Sequence, residues 1–327
     1  MAYRNVGNPR FMMNTIEWLS AMGVNIDWTT DTDSGNGLNE RFRTAPESGD
    51  YEATSITYNG IPEGAFTEKS FIAFLGHNAR ANTLGFGNSF TSNISVNAEL
   101  YGGEDFEFAE ALSPTWNGFS IRSFDGRDLD ATNSFQVSHS SILNSIVIGS
   151  YFELSSPDLS LTLSYEYDGI KNIQAQGGSS LSNSMHHTIP NWGDKGAWQL
   201  YHTDTIPNLR TGRKIWDLSF SYISSTDLFA VTENYSNVID PSSEGSYADT
   251  DINASGKFAK TILTSEDFFS QCFNRAISGH LPFIFQPDKD NSMPDQFAIC
   301  KFDMSSLQYE QVAHNTYNVN LKIREVW

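Results

Sequence analysis

Cysteine is scarce: among 327 residues only Cys272 and Cys300 carry a thiol. Both stand in apolar, structured-looking runs, where Cys acts as a small hydrophobe. Two buried free thiols are therefore expected rather than a disulfide, which suits folding in a reducing cytoplasm. Basic residues are also few. Twenty Lys and Arg against 39 Asp and Glu give a formal net charge of -19 with no basic run, which argues against a surface that grips phosphate backbones by displacing counterions. The same charge repels an anionic leaflet, and no stretch approaches the roughly 20 apolar residues of a spanning helix. Met1 to Pro9 lacks a basic n-region and an apolar h-region, so no signal peptide is expected. Neither a stable nucleic-acid partner nor a membrane is expected.

Catalytic signatures are missing as well. There is no G-x-S-x-G elbow, P-loop, dinucleotide fingerprint or zinc-protease helix. The one adjacent histidine pair, His186-His187, lies in a Ser- and Asn-rich loop without Cys, Asp or Glu at ligand spacing, and reads as solvated. Asp31-Thr32-Asp33-Ser34-Gly35-Asn36-Gly37 invites a calcium-loop reading, but its glycine comes one position early for an EF-hand and Phe42 stands where the terminal Glu belongs. Asp125-Gly126-Arg127-Asp128-Leu129-Asp130 offers three carboxylates, too few donors for an oxygen cage. The acidic stretch Gly102 to Glu107 singles out no glycosidase pair. The chain is expected not to be an enzyme, and no catalytic, cofactor or metal residue is assigned.

Aromatics are plentiful, 13% of the chain with 23 Phe, and most alternate along strand-like runs. The most informative stretch is Thr264 to Trp327. Thr264 and Ser265 can cap a helix and Glu266 and Asp267 place negative charge in its first turn. Phe268, Phe269, Cys272, Phe273, Ala276 and Ile277 repeat at helical spacing until Gly279. One α-helix over residues 265–278 is predicted. Three strands should follow it, Leu281 to Gln286, Gln296 to Asp303 and Tyr317 to Val326; in the last, Tyr317, Val319, Leu321 and Ile323 alternate with polar residues.

Earlier in the chain, Asn14 with Glu17 forms a capping box for a short helix over residues 14–22. Asp27 to Asp50 reads as a polar connecting loop. Strand-like runs then come at sandwich spacing: Tyr51 to Tyr58, Ser70 to Leu75, Asn93 to Leu100, Phe106 to Leu112, Gly118 to Phe124, Ser134 to Ser138 and Ile142 to Phe152. Leu159, Leu161, Leu163, Tyr165 and Tyr167 alternate with polar residues as a long half-exposed strand, and Asp168-Gly169 predicts a hairpin to Ile170–Gln176. Ile215 to Ile223 is another strong strand. Around it lie two long polar loops, Gly177 to Arg210 and Ser224 to Lys260, of a length that is usually functional or disordered. Trp192, Trp198, Phe229, Tyr235 and Tyr247 fall in these loops and are candidates for an oligomer interface. The fold class expected is mainly β. A jelly-roll-like β-sandwich with a leading helix should occupy residues 1–156, and a sheet or barrel domain carrying one helix and the two loops residues 157–327.

A resemblance goes further. Arg213-Lys214-Ile215-Trp216-Asp217-Leu218-Ser219-Phe220, the Phe-rich segment with Phe268, Phe269 and Phe273, Gly279-His280-Leu281-Pro282-Phe283-Ile284-Phe285-Gln286, Pro294 to Cys300 and the ending Leu321 to Trp327 together resemble the bacteriophage distal tail and minor tail protein family. The resemblance covers residues 158–327. It implies a virion structural protein in a homo-oligomeric ring, a hexamer by family expectation, that joins the tail tube to the tip and has other tail proteins as partners. It implies no cofactor. An acidic chain beside the tail channel would let DNA pass without sticking. Phe71 to Asn78 and Ser145 to Phe152 are similar to discoidin-like sandwiches of phage structural proteins, which implies a turn-capping role for His77 and Asn78. It also implies a second function, recognition of a host glycan by the N-terminal half.

Overall fold

The computed structural model describes residues 6–24, 26–30, 54–59, 61, 65–75, 84–88, 92–95, 119–126, 134–139, 145–166, 172–182, 212–230, 262, 265–291, 296–304 and 306–326. In chain order the strands are β1 (Arg10–Asn14), β2 (Asp27–Thr30), β3 (Thr54–Asn59), β4 (Ser70–Leu75), β5 (Leu84–Asn88), β6 (Ser92–Ser95), β7 (Phe119–Phe124), β8 (Ser134–His139) and β9 (Ser145–Glu153). They continue with β10 (Thr162–Glu166), β11 (Asn172–Gln174), β12 (Ser180–Ser182), β13 (Arg213–Ser224), β14 (Phe283–Gln286), β15 (Ala298–Phe302), β16 (Tyr309–Ala313) and β17 (Thr316–Glu325). The helices are α1 (Thr15–Ala21), α2 (Ser225–Leu228) and a π-helix at Phe269–Phe273. The fold is mainly β.

One antiparallel sheet of ten strands dominates, in the order β10-β13-β17-β15-β14-β1-β9-β4-β7, with β16 folded back on β17. Strands from both sides of residue 156 belong to it. The join is β1, which pairs with β14 on one side, Phe11 opposite Phe285, and with β9 on the other, Phe11 opposite Phe152. All five residues of β1 are buried. Phe11 and Met13 face one core with Trp216, Leu218, Phe220, Leu321 and Ile323; Met12 faces the other with Phe71, Val147 and Ile284. A second sheet has the order β2-β3-β8-β5-β6, and β11-β12 is a separate hairpin.

The central aromatic cluster explains why the strands stack in this order. The Phe11 ring lies 5.7 Å from Phe268, 5.9 Å from Phe283, 5.3 Å from Phe285 and 6.0 Å from Phe302. Four rings, from the start of the π-helix, β14 and β15, thus surround the Phe11 side chain at separations where aromatic pairs add to the burial of their area.

Several expectations hold residue by residue. Asn14 caps α1, its Oδ1 accepting from the Glu17 N–H at 3.1 Å, and Trp18 and Leu19 bury against Ile72, Ile146 and Ile148. β4, β7, β8, β9, β13, β14, β15 and β17 all fall within or close to predicted runs. Other expectations need correction. The helix over 265–278 is instead a π-helix at Phe269–Phe273, with the Asn274 N–H donating to the Phe269 carbonyl at 2.8 Å. Asp267 rather than Ser265 accepts from the backbone of its first turn, and Thr264 lies outside the described residues: Asp267 Oδ1 accepts from the Ser270 N–H at 2.8 Å, and its Oδ2 accepts from the hydroxyls of Ser265 and Ser270 at 2.6 and 2.8 Å. This network lets Ser270 and Gln271 bury beside Cys272 and Phe273, so no polar stripe survives. The coil unwinds where Ile277 and Ser278 take φ of 47° and 55°, ahead of Gly279 at 89°.

The predicted Asp168-Gly169 turn lies outside the described residues; among those described, β10 pairs with β13, and β11 pairs with β12 across a turn where Gly178 adopts φ 84°. The loop expected from Asp27 begins as strand β2, and that expected from Ser224 begins as α2, where Ser224 Oγ accepts from the Thr226 N–H at 3.3 Å. Phe106 to Leu112 lies outside the described residues. Truncation of the central ring, Phe11→Ala, should destabilise the fold by about 3–5 kcal/mol, read as a shift of the urea unfolding midpoint at unchanged slope.

Candidate functional site

Alternation along β13 and β17 decides which side of the sheet meets solvent. Trp216, Leu218 and Phe220 point into the core with Val319, Leu321 and Ile323, leaving Asp217, Ser219, Asn320 and Lys322 on the outer face. The register sets Asp217 between Thr162 of β10 and Lys322 of β17, and Ser219 opposite Asn320. With Asp303 and Gln308 these side chains line a groove of about 430 Å³. Lys322 Nζ is 3.2 Å from Asp303 Oδ2, and the Ser219 hydroxyl donates to Asn320 Oδ1 at 2.7 Å.

The ladder slips at one end of this groove. Between Phe220 and Ile223 the β13–β17 register shifts, and Tyr222 sits there at φ 60° with its side chain 78% exposed. Its N–H donates to Asn318 Oδ1 at 3.2 Å, a side-chain substitute for the lost ladder bond. A left-handed backbone costs a non-glycine residue about 1–2 kcal/mol, so an aromatic residue is held in a strained position while exposing most of its ring.

A second polar cluster ties β1 to its neighbours. Arg10, itself buried, lies with its Nε 3.1 Å from Glu153 Oε2 and its guanidinium 5.4 Å from the centre of the Tyr151 ring, while Lys289 Nζ lies 2.9 Å from Glu153 Oε1. Burial pushes the Glu153 carboxyl up, but hydrogen bonds and charge from Lys289 and Arg10 outweigh it and hold the group below its ordinary value near 4.5. Arg275 is the counterpart on the other side of the sheet: its Nη1 donates to Thr15 Oγ1 at 2.7 Å and its guanidinium lies 5.2 Å from the centre of the Trp18 ring.

The residues singled out from sequence divide into three groups. Phe268, Phe273, Phe283 and Phe285 are buried in the main core and Phe269 packs against it, so this motif is structural. Phe229, an interface candidate from the sequence, is half-buried and packs on two rings of its own chain, 4.6 Å from Tyr309 and 5.0 Å from Tyr317. Trp192, Trp198, Tyr235, Tyr247, His77 and Asn78 lie outside the described residues, as do His186-His187 and the Asp31–Gly37 segment. Cys272 and Cys300 are free and buried, and burial pushes both thiols well above their ordinary range. Among the described residues no group of three His, Cys, Asp or Glu is placed to hold a metal ion. The groove and Tyr222 are not legible in the sequence, because plain alternation sets Tyr222 on the same face as Trp216, Leu218 and Phe220 and the bulge reverses it.

No protein-family model matches the chain, and neither curated proteins nor solved structures include a significant match.

Two outcomes follow from this geometry. A Glu153→Gln substitution should cost stability at neutral pH. Because the folded-state pKa of Glu153 lies below the unfolded one, the wild-type advantage is present above about 4.5 and disappears as pH falls through the folded value; thermal melts of both proteins across an acid series would show the two curves converging. Tyr222→Gly should raise stability by about 1 kcal/mol, since glycine adopts positive φ without the Cβ penalty, measured by urea unfolding.

Proposed function

We propose that the chain is a structural component of a bacteriophage virion, a tail or tail-tip ring protein that joins the tail tube to the tip. The observation that carries this reading is that, among the described residues, the large sheet ends in two unlike strands. Among the described residues, β10 pairs only with β13 and β7 only with β4. An edge strand presents unpaired N–H and C=O groups that another chain can take up, and when the two edges of a subunit differ, their pairing is heterologous and closes into a ring if the rotation fits. Leu159, fully exposed just before β10, adds apolar surface at that edge.

The β11–β12 hairpin supports the same reading. Ile173 and Leu181 lie opposite one another and are 62% and 61% exposed. A lone two-stranded hairpin is marginal in water, so an arm bearing a paired apolar patch gains stability against a neighbouring subunit. The acidic balance suits a wall that DNA slides past, and the C-terminal motifs carry the resemblance to tail proteins. Homo-oligomerisation, a hexamer by family expectation, and contact with other tail proteins complete the proposal.

Native mass spectrometry and negative-stain images of the purified chain test it. The expected outcome is a closed ring that the double substitution Ile173→Asp and Leu181→Asp dissociates into monomers that keep the wild-type far-UV circular dichroism. A strict monomer that never enters a tail particle would overturn the assignment.

A further inference from the structure

We propose that the outer face of β10, β13 and β17 is a binding site for a neutral saccharide, with Tyr222 as its stacking platform. The groove volume, about 430 Å³, lies in the range of sites for small organic ligands. What distinguishes a saccharide from other ligands of that size is that each hydroxyl both donates and accepts, while the ring C–H faces are apolar. Thr162, Asp217, Ser219, Asn320, Asp303 and Lys322 meet the first demand: hydroxyl, carboxylate, amide and ammonium groups alternate within one lined surface. The Ser219 hydroxyl donates to Asn320 Oδ1 and so fixes the amide, directing its NH₂ donors elsewhere.

Tyr222 meets the second. A bulge turns a side chain out of the alternating pattern of its strand, and here it leaves an aromatic ring in solvent three residues beyond Ser219, roughly 10 Å along the strand. That is the length of a disaccharide. Strained backbone persists where surrounding structure holds it and clusters at ligand sites; the Asn318 side chain, two residues from Asn320 on the same strand, supplies the hold by accepting from the Tyr222 N–H. Asp217 and Asp303 outnumber Lys322, which disfavours phosphorylated or carboxylated sugars and selects neutral ones. The site does not rest on the ring assignment, since a monomer presents the same face.

The test uses the labelled full-length protein on an array of neutral and acidic glycans, alongside Tyr222→Gly and Asp217→Ala. Glycine relieves the φ strain and Asp217 is solvent-facing, so melting temperatures confirm that both variants stay folded. The wild type is expected to bind a neutral saccharide, and each variant to weaken that binding by about tenfold or more in a solution titration. No saccharide bound by the wild type, a preference for acidic glycans, or wild-type affinity in either variant would overturn the proposal.

Discussion

The insertion of β1 between β14 and β9 is the constraint on which the rest depends. A five-residue strand, Arg10 to Asn14, hydrogen-bonds to residues 283–286 on one edge and residues 149–153 on the other. Without it the ten-stranded sheet is two smaller sheets. Its side chains seal both faces, Phe11 and Met13 one way and Met12 the other, and its first residue, Arg10, is buried with Glu153 to neutralise the guanidinium and the Tyr151 ring to cover it. Gly149 has a matching role: opposite Asn14, it leaves room for the Met13 carbonyl, which a Cβ would strike.

From that join the sheet grows outward in two chemically different directions. Toward β4 and β7 it is apolar on both faces, with α1 covering one of them. Toward β17, β13 and β10 it is apolar on one face and polar on the other. A one-sided sheet leaves its outer face free to carry recognition groups, and the groove and Tyr222 both lie there. The same division leaves the two ends of the sheet unlike, which is the property that a head-to-tail assembly uses.

Legibility followed local pattern. Alternation in residues 316–325 and 213–224 was visible because each strand has one wet face, and Asn14 with Glu17 announced α1. β1 was missed because Arg-Phe-Met-Met-Asn is buried on both faces and shows no period. The Phe-rich segment was read as an α-helix since its apolar spacing suits one; what changed its coil was the buried Asp267 network with Ser265 and Ser270, whose partners nothing in the spacing reveals. β16 went unseen as Tyr-Glu-Gln-Val-Ala is mostly exposed, its pairing fixed by the turn at Asn315 with φ 56°. The candidate groove is a product of register across three strands distant in sequence, so no single stretch could show it.

The placement of β1 also sets a timetable. Arg10 cannot find Gln286 until all the residues between them have left the ribosome, so β1 waits for a strand made long after it. Such distant pairing makes folding slow and leaves partly synthesised chains with unsatisfied strand edges. It also makes the two halves of the sheet interdependent: a chain broken between these strands no longer holds β14 and β9 to the two edges of one covalently placed strand.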